Sequence, residues 1–328
     1  MEDMRIATLI PAYKSGYIEK TLLSLSRQTY RHFDCYLSDD SPGGEVGRKV
    51  ENLKSSGIVN FPLQTLAGPK SGLAIKNIQN LLHRVEAGYD LIHILFDDDL
   101  IRPDFYKRHV SLHCRAKVSV TASARYFING QGLALAKTPI PSKVASAKND
   151  VMILADRYVA ATTIPSVTNW IGEYSNMVFN VAHRLDFGLC GDGRIHYGLA
   201  DLSAAIFVGE RLGYIRDHLG GFRVHADSMT AQVKDPSRMS GLLAWVPIAQ
   251  SALSNGLIEE SDVLCCVTAV KRYCDLDYAQ DPLMVEFSKT LASILRNRPV
   301  DFSEFNERWS QFLIGNFGEF WRTSPVLA

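Results

Sequence analysis

Residues 91–100 read LIHILFDDDL, an almost wholly apolar run that ends in three adjacent aspartates, Asp97, Asp98 and Asp99. A continuously apolar run of this length is typical of a strand buried on both faces of a parallel sheet. Like charges this close together raise one another's pKa, so at least one carboxyl should resist ionisation unless a cation or hydrogen-bond donors lie among them. The stretch therefore predicts a buried strand with a binding site at its carboxyl end.

The chain before this stretch alternates strand and helix. IATLIPAY (6–13), HFDCYLSDDS (32–41) and NFPLQTLAG (60–68) are expected to be strands, whereas SGYIEKTLLSLSRQT (15–29) and SGLAIKNIQNLLHRVEAG (71–88) are expected to be helices. Ser15 is the predicted cap of the first helix, and the second is expected to reach Val85 and stop at Gly88. This alternation predicts an α/β fold, with a mostly parallel sheet flanked by helices. Ligands of such sheets bind beyond the carboxyl ends of the strands, so residues 11–13, 38–41 and 97–99 should converge on one cleft.

Composition excludes several classes of protein. The 328 residues are 46% hydrophobic, and 35 basic residues balance 35 acidic ones, so nothing suggests a general attraction to nucleic acid. The N-terminus lacks the features of a secretory signal, and no apolar run approaches the ~20 residues of a membrane-spanning helix. We therefore expect a cytoplasmic protein without a transmembrane segment, for which peripheral membrane association stays open. The six cysteines have neither C-x-x-C nor zinc-finger spacing, which argues against a disulfide framework and a structural zinc site.

The pattern changes along the chain and predicts two domains. Shorter strands and loops begin near residue 118, and the sequence from 236 onward is almost entirely helical, so the predicted domains are 1–235 and 236–328. Asp281 and Pro282 are expected to cap one C-terminal helix. Its predicted apolar face comprises Leu283, Met284, Phe287, Leu291, Ile294 and Leu295.

The C-terminal tail is rich in aromatic residues at roughly helical spacing. They are Phe302, Phe305, Trp309, Phe312, Phe317, Phe320 and Trp321, together with Leu313. Packing on the protein's own core is the favoured interpretation. Contact with an acceptor protein, a second subunit of a homo-oligomer or a lipid-bearing acceptor stays open.

The carboxylates at the strand ends indicate metal and nucleotide chemistry. Along an extended chain Asp97 and Asp99 would share a face, and such a pair suits Mg²⁺ or Mn²⁺ held jointly by carboxylates and substrate phosphates. Alternatively, the acids could cap the helix that begins near Pro103. Asp39 and Asp40 could accept from a nucleobase N–H or a ribose hydroxyl, or could belong to a simple turn.

Other phosphate-binding and hydrolytic motifs are absent from the sequence. It contains no G-x-x-x-x-G-K-[ST] loop, and GGEVG at 43–47 follows the second strand instead of the first, with the wrong spacing for a dinucleotide fingerprint. There is also no G-x-S-x-G elbow. A Rossmann dehydrogenase and an α/β-hydrolase are therefore disfavoured.

Several segments, in order, resemble family 2 glycosyltransferases, which are inverting enzymes of the GT-A fold. Residues 8–41, TLIPAYKSGYIEKTLLSLSRQTYRHFDCYLSDDS, resemble the nucleotide-binding opening of that family, and GLAIKN at 72–77 resembles its Gly-x-x-x-Arg-Asn segment. LFDDDL at 95–100 matches the Asp-x-Asp (DXD) motif. IGEYSNMVF at 171–179 resembles the acceptor-side stretch, and residues 197–230 resemble the segment with the catalytic acid and an Arg-x-His turn. The resemblance spans about residues 5–230.

The resemblance implies roles for individual residues. It places Pro11, Ala12 and Tyr13 along the nucleotide and Asp39, next to Asp40, at the base. Lys76 stands where the family has arginine, which keeps the charge and loses the planar fork.

At the transfer centre, the resemblance assigns Asp99 to the metal and Asp97 to the sugar or the metal, with Asp98 beside them. The resemblance also implies that His225 approaches the metal or the diphosphate. Asp201 would be the general base, with Asp192 as the fallback because the family usually has Glu-Asp where this chain has Ala200 and Asp201.

The sequence thus predicts a metal-dependent inverting transfer of a sugar from a nucleoside diphosphate, with UDP favoured, to a hydroxyl of a glycan, a lipid-linked glycan or a protein. Such a single displacement needs one carboxylate base and a Lewis acid at the leaving diphosphate. One alternative is a sugar-phosphate nucleotidyltransferase, which a Gly-rich basic loop after the first strand would favour. The other is a non-catalytic nucleotide-sugar-binding or scaffold protein, which would bind ligand without turnover.

Overall fold

A computed structural model describes residues 4–85, 88–182, 198–207, 211–225 and 236–318. Within these ranges, no helix combines the length and the apolar character that crossing a membrane requires. The strands are β1 (Ile6–Ala12), β2 (Phe33–Asp39), β3 (Leu63–Ala67), β4 (Leu91–Ile94), β5 (Leu100–Ile101), β6 (Val120–Ile128), β7 (Ala134–Lys137), β8 (Val151–Ala155), β9 (Met177–Asn180) and β10 (Arg211–Arg223). The helices of the sheet region are α1 (Ile18–Ser26), α2 (Glu45–Ser55), α3 (Ala74–Leu82), α4 (Phe105–Arg115), α5 (Ser142–Ala145), α6 (Asp156–Thr163) and α7 (Ala200–Phe207), with a 3₁₀ turn at Tyr174–Asn176. The C-terminal helices are α8 (Pro236–Leu243), α9 (Trp245–Ser254), α10 (Glu260–Asp277), α11 (Pro282–Arg296) and α12 (Ser303–Phe317).

One mixed sheet organises the chain, with the strand order β3-β2-β1-β4-β9-β6-β10-β5 and with β7 and β8 paired to β6 and β10. The strands β1, β2, β3, β4, β6 and β10 run in the same direction. Their carboxyl ends therefore meet at one edge of the sheet, as the alternation of strand and helix predicted. The β1–β2 register pairs Ala12 with Asp39, which brings the first two polar strand ends side by side.

The C-terminal helices share a hydrophobic core with the sheet. Met284, Phe287, Leu291 and Ile294 of α11 belong to the same buried cluster as Leu9 and Ile94 of the central strands. The described aromatic residues of the tail, with Leu313, are buried in that cluster: Phe302, Phe305, Trp309, Phe312 and Phe317. This favours packing on the protein's own core over a partner surface for these residues, whereas Phe320 and Trp321 lie outside the described residues. The boundary proposed near residue 235 also falls outside them, so the division into two domains stays a prediction.

Local signals predicted some helix ends well and others poorly. Asp281 caps α11 by accepting a hydrogen bond from the backbone N–H of Met284 at 3.0 Å, with Pro282 in the first turn, as expected. The other details differ. Tyr17, not Ser15, precedes α1, and α3 ends at Leu82, before the predicted Val85. Leu283, placed on the apolar face of α11, is 42% exposed.

Candidate active site

The three aspartates lie where β4 leaves the sheet. Residues 97–98 form a turn between β4 and β5, so the alternation of an extended chain does not apply to them. Asp97 Oδ2 accepts hydrogen bonds from the backbone N–H groups of Tyr13 (2.7 Å) and Lys14 (2.9 Å). Burial, reinforced by the charge of Asp98, raises the pKa of Asp97 to about 7. Asp97 therefore ties the loop after β1 to the loop after β4.

Asp99 is buried, with 1% of its surface exposed. Its Oδ1 accepts from the backbone N–H of Arg223 at 2.9 Å, whereas Oδ2 is buried without a hydrogen bond of good geometry among the described residues, although the Ser175 side chain lies near enough to lower the pKa of Asp99. Desolvation, followed by the neighbouring charge of Asp98, raises the pKa of Asp99 well above its ordinary value. A buried carboxylate with one unsatisfied oxygen calls for a proton or a cation at that atom.

Asp98 holds the candidate ligand His225. Asp98 Oδ2 lies 3.1 Å from His225 Nε2, and the His225 side chain is 8% exposed. Nδ1 of His225 is buried without a partner in the described parts of the chain. Metal-binding histidines commonly donate their second ring N–H to a carboxylate, which fixes the tautomer and leaves the other nitrogen as the ligand. The Asp98–His225 pair fits this arrangement.

The three aspartates do not cap α4, the helix that follows them. The residue preceding α4 is Asp104, and its side chain makes no capping bond. The described hydrogen bonds of the three carboxylates go to Tyr13, Lys14, Arg223 and His225, all of them distant in sequence. The cluster therefore joins the ends of β1, β4 and β10.

An open cleft of about 560 Å³ adjoins the turn at Asp97, Asp98 and Asp99, here called the acidic turn. It is lined by Tyr13, Lys14, Ser15, Gly16, Tyr17, Pro42, Glu45 and His225. Of the residues predicted to lie along a nucleotide, Tyr13 is 43% exposed and lines this cleft. Pro11 and Ala12 are buried in β1, so their contribution to the cleft is to place the backbone that leads into it.

Asp39 and Asp40 are both buried and both accept hydrogen bonds from the protein. Asp39 accepts from the backbone N–H and the hydroxyl of Ser41 and from the N–H of Gly47 at 2.9 Å. Asp40 accepts from the N–H groups of Ser71 (3.2 Å) and Gly72 (2.8 Å). The pair thus fixes the turn that leads into α2 and the loop that precedes α3.

The GLAIKN segment forms the start of α3 beside these strand ends. Lys76 lies in the first turn of the helix and is partly exposed. Asn77 is buried, and its Nδ2 donates to the carbonyls of Ala12 (3.3 Å) and Ser38 (3.1 Å). Asn77 therefore clamps the carboxyl ends of β1 and β2 together.

Asp201 lies at the start of α7, near the ion pair between the buried Arg125 and the partly buried Glu173. Arg125 Nε is 2.6 Å from Glu173 Oε2, and its Nη2 donates to Oε1 at 2.9 Å. Asp201 Oδ1 accepts from the N–H of Leu202 at 2.7 Å. Burial, then the charge of Glu173, raises the pKa of Asp201 to about 7. Asp201 can therefore exchange a proton near neutral pH.

Glu173 also lies close to Asp99. Asp99, Arg125, Glu173 and Ser175 line a narrow crevice that has no room for a water molecule. The charge of Glu173 raises the pKa of both Asp99 and Asp201. The candidate base and the candidate metal ligand therefore belong to one electrostatic site.

Sequence patterns did not single out Arg125, Ser175 or Tyr17. Arg125 is a charged residue in an otherwise mostly apolar strand, which was the available signal for a buried ion pair. Ser175 Oγ accepts from the N–H of Phe96 (3.1 Å) and carried no such signal. The second candidate base, Asp192, lies outside the described residues.

The described residues contain no group of three or more His, Cys, Asp or Glu side chains arranged to hold a metal. Ions such as Mg²⁺ are often held by one or two carboxylates together with substrate phosphates and water. Asp99 Oδ2 and His225 Nδ1 are the atoms of these residues that have no hydrogen bond within the described chain, and each is of a type that binds such an ion.

Comparison with solved structures establishes the type of fold. A structure of S. aureus TarS residues 1–349 in complex with UDP matches with a TM-score of 0.57 at 13% identity, covering 98% of this chain and 92% of that chain. The fold is of the GT-A type. The same TarS fragment with UDP-GlcNAc gives a TM-score of 0.54 at 14% identity, over 95% and 82% of the two chains. Mannosyltransferase PcManGT from Pyrobaculum calidifontis, in complex with GDP-Man and Mn²⁺, gives 0.50 at 15% identity, over 98% and 88%.

No family model and no curated protein matches the sequence. The fold predicted from strand and helix patterns is confirmed by these structures, including the helical region at the C-terminus. At identities this low the similarity concerns the fold.

Proposed function

We propose that the protein is a metal-dependent inverting glycosyltransferase of family 2 that takes a sugar from a nucleoside-diphosphate donor. Two observations support the proposal: Asp98 binds His225 beside an open cleft, and the charge of Glu173 acts on both the buried Asp99 and Asp201. The solved structures with similar folds were determined with UDP, UDP-GlcNAc or GDP-Man and Mn²⁺. A UDP-sugar is the proposed donor.

The proposed donor site uses the acidic turn. Asp99 Oδ2 and His225 Nδ1 would hold Mn²⁺ or Mg²⁺, with Asp98 orienting the histidine. When bound, the ion would supply Lewis-acid stabilisation to the leaving diphosphate. Asp97 holds the backbone of Tyr13 and Lys14, so it fixes the cleft wall that meets the nucleotide.

The proposed transfer step is a single displacement. A C–O bond forms between the acceptor hydroxyl and the anomeric carbon while the bond from that carbon to the diphosphate oxygen breaks, and the diphosphate keeps the electron pair. Asp201 takes the hydroxyl proton. Its pKa of about 7 suits a general base near neutral pH because proton affinity and the ionised fraction are then balanced.

Donor hydrolysis, with water as the acceptor, tests this proposal without knowledge of the natural acceptor. Release of UDP from UDP-sugars should require Mn²⁺ or Mg²⁺ and should fall at least ~100-fold in Asp201→Asn, within the usual contribution of a general base. Asp99→Ala should lose both turnover and metal dependence. Intact turnover and metal dependence in Asp99→Ala would show that the mechanism is wrong, and tight binding without turnover would favour a non-catalytic binding protein.

The acceptor is proposed to be a hydroxyl of a glycan, a lipid-linked glycan or a protein. Cytoplasmic location, peripheral membrane association and oligomer formation through the C-terminal helices stay predictions from the sequence.

A further inference from the structure

Arg223, the last residue of β10, is a buried arginine at the junction of several loops, with 1% of its surface exposed. Its backbone N–H donates to Asp99 Oδ1, and its side-chain Nε donates to the carbonyl of Asp98. Nη1 donates to the carbonyls of Asn129 (2.7 Å) and Gly130 (2.8 Å). One residue thus contacts both the acidic turn and the turn between β6 and β7.

The turn at residues 129–133, here called the hairpin turn, is held from two sides. Asn129 Oδ1 accepts from the N–H groups of Gln131 and Leu133 at 3.0 Å each, which fixes the shape of the turn. Lys20 Nζ donates to the carbonyls of Gly130 (3.2 Å) and Gln131 (3.0 Å). Lys20 therefore anchors the hairpin turn to α1, whereas Arg223 anchors it to the acidic turn.

Tyr17 completes the junction. The Arg223 guanidinium lies 4.5 Å from the centroid of the Tyr17 ring, and the His225 ring lies 5.0 Å from it on centroids. Tyr17 and His225 also line the open cleft. The position of the cleft wall therefore depends on the same guanidinium that holds the hairpin turn.

We propose that Arg223 is a positioning residue that couples the hairpin turn to the acidic turn. The metal and nucleotide site would then keep its geometry only while the hairpin turn holds its contacts with Arg223 and Lys20. The planar guanidinium reaches three carbonyls and one aromatic face at once, which a lysine ammonium cannot reproduce in the same geometry. The identity of the assembled site rests on the proposed function. The coupling itself rests on the contacts of Arg223.

The coupling predicts that strain in the hairpin turn is felt at the donor site. Gly132 has φ +88°, and a Cβ there would meet Leu100 Cδ1 at 3.2 Å. Gly132→Ala should therefore displace the turn without altering a residue of the acidic turn or the cleft. Gly57→Ala is the matched control, since Gly57 has φ +74° and nothing within 4 Å of the added Cβ.

The first experiment measures UDP binding by calorimetry with and without Mn²⁺. Arg223→Lys and Gly132→Ala should each weaken binding in Mn²⁺ by about tenfold, the size typical of lost support behind a metal ligand, and should change binding without Mn²⁺ much less. Gly57→Ala should match the wild type.

The second experiment is hydrogen exchange on the free protein, which needs no ligand. Arg223→Lys should accelerate exchange at residues 97–101 and 129–133 together, with α11 unchanged, whereas Lys20→Met should accelerate the hairpin turn alone. Exchange in Arg223→Lys that changes at only one turn, or at neither, would overturn the coupling. If the wild type binds no nucleotide in Mn²⁺, the proposed function fails, and the exchange result still decides the coupling.

Discussion

Replacing Asp201 with asparagine should lower donor hydrolysis at least ~100-fold and yet make the folded chain more stable than the wild type at pH 8. The folded-state pKa of Asp201 is raised from 3.8 to about 7 by burial and by the charge of Glu173. Because the folded chain binds this proton more tightly than the unfolded chain, stability contributed by the protonated carboxyl is present at low pH and is lost as the pH rises toward 7. Asparagine does not titrate, and its Oδ1 can still accept from the N–H of Leu202.

The size of the effect follows from the two pKa values. Between pH 5 and pH 8 the free energy of unfolding of the wild type should fall by about 2–3 kcal/mol relative to that of Asp201→Asn. The raised pKa of Asp97 acts in both proteins and cancels in the difference.

Urea unfolding of both proteins at the two pH values measures this difference directly. Asp277→Asn, at an exposed position of α10, is the surface control and should show no such change. A free-energy gap between wild type and Asp201→Asn that is the same at pH 5 and pH 8 would refute a raised pKa for the partly buried Asp201.

Three further outcomes are expected. The kcat/KM for donor hydrolysis should rise with pH through about 7. Glu173→Gln should move that rise to lower pH, because it removes a charge that raises the pKa of Asp201. An unchanged pH profile in this variant would contradict the expectation. Asp39→Ala should lower the free energy of unfolding by about 1–3 kcal/mol without any ligand, since the N–H groups that it binds lose their acceptor; unchanged urea stability would contradict this. Leu291→Ala, at a fully buried position of α11, should lower the free energy of unfolding by about 2–5 kcal/mol. The sheet and the C-terminal helices should still unfold in one transition with a lower midpoint, because they share a core; two separate transitions would contradict this.

The fold was largely predictable because its signals are local. The apolar run before Asp97 and the Asp281–Pro282 cap each act within a few residues, and the structure has the expected strand and helix at these places. The predicted end of α3 failed because helical spacing continued to Val85, whereas the helix itself stops at Leu82. Periodicity shows which residues would share a helix face, not where the helix ends.

The site was predictable in its residues and not in their partners. Asp97, Asp98 and Asp99 could be identified from charge crowding, yet their orientations follow from a turn and from contacts with Arg223 and His225, more than 120 positions later. The Arg125–Glu173 pair likewise joins residues 48 apart. Such contacts depend on the spatial order of the strands in the sheet. That order could not be determined from a single sequence.

The most direct test of the account is thermal unfolding of the wild type and Asp99→Ala with UDP, GDP, dTDP and CMP, each with and without Mn²⁺. A nucleotide at about 100 times its dissociation constant adds ~2.7 kcal/mol to stability, which is visible as a shift in the midpoint. A metal-dependent donor site at the acidic turn predicts a Mn²⁺-dependent shift with one nucleotide, UDP being the expected one, and its loss in Asp99→Ala. No shift with any nucleotide, or an equal shift in Asp99→Ala, would contradict a metal-dependent donor site at the acidic turn.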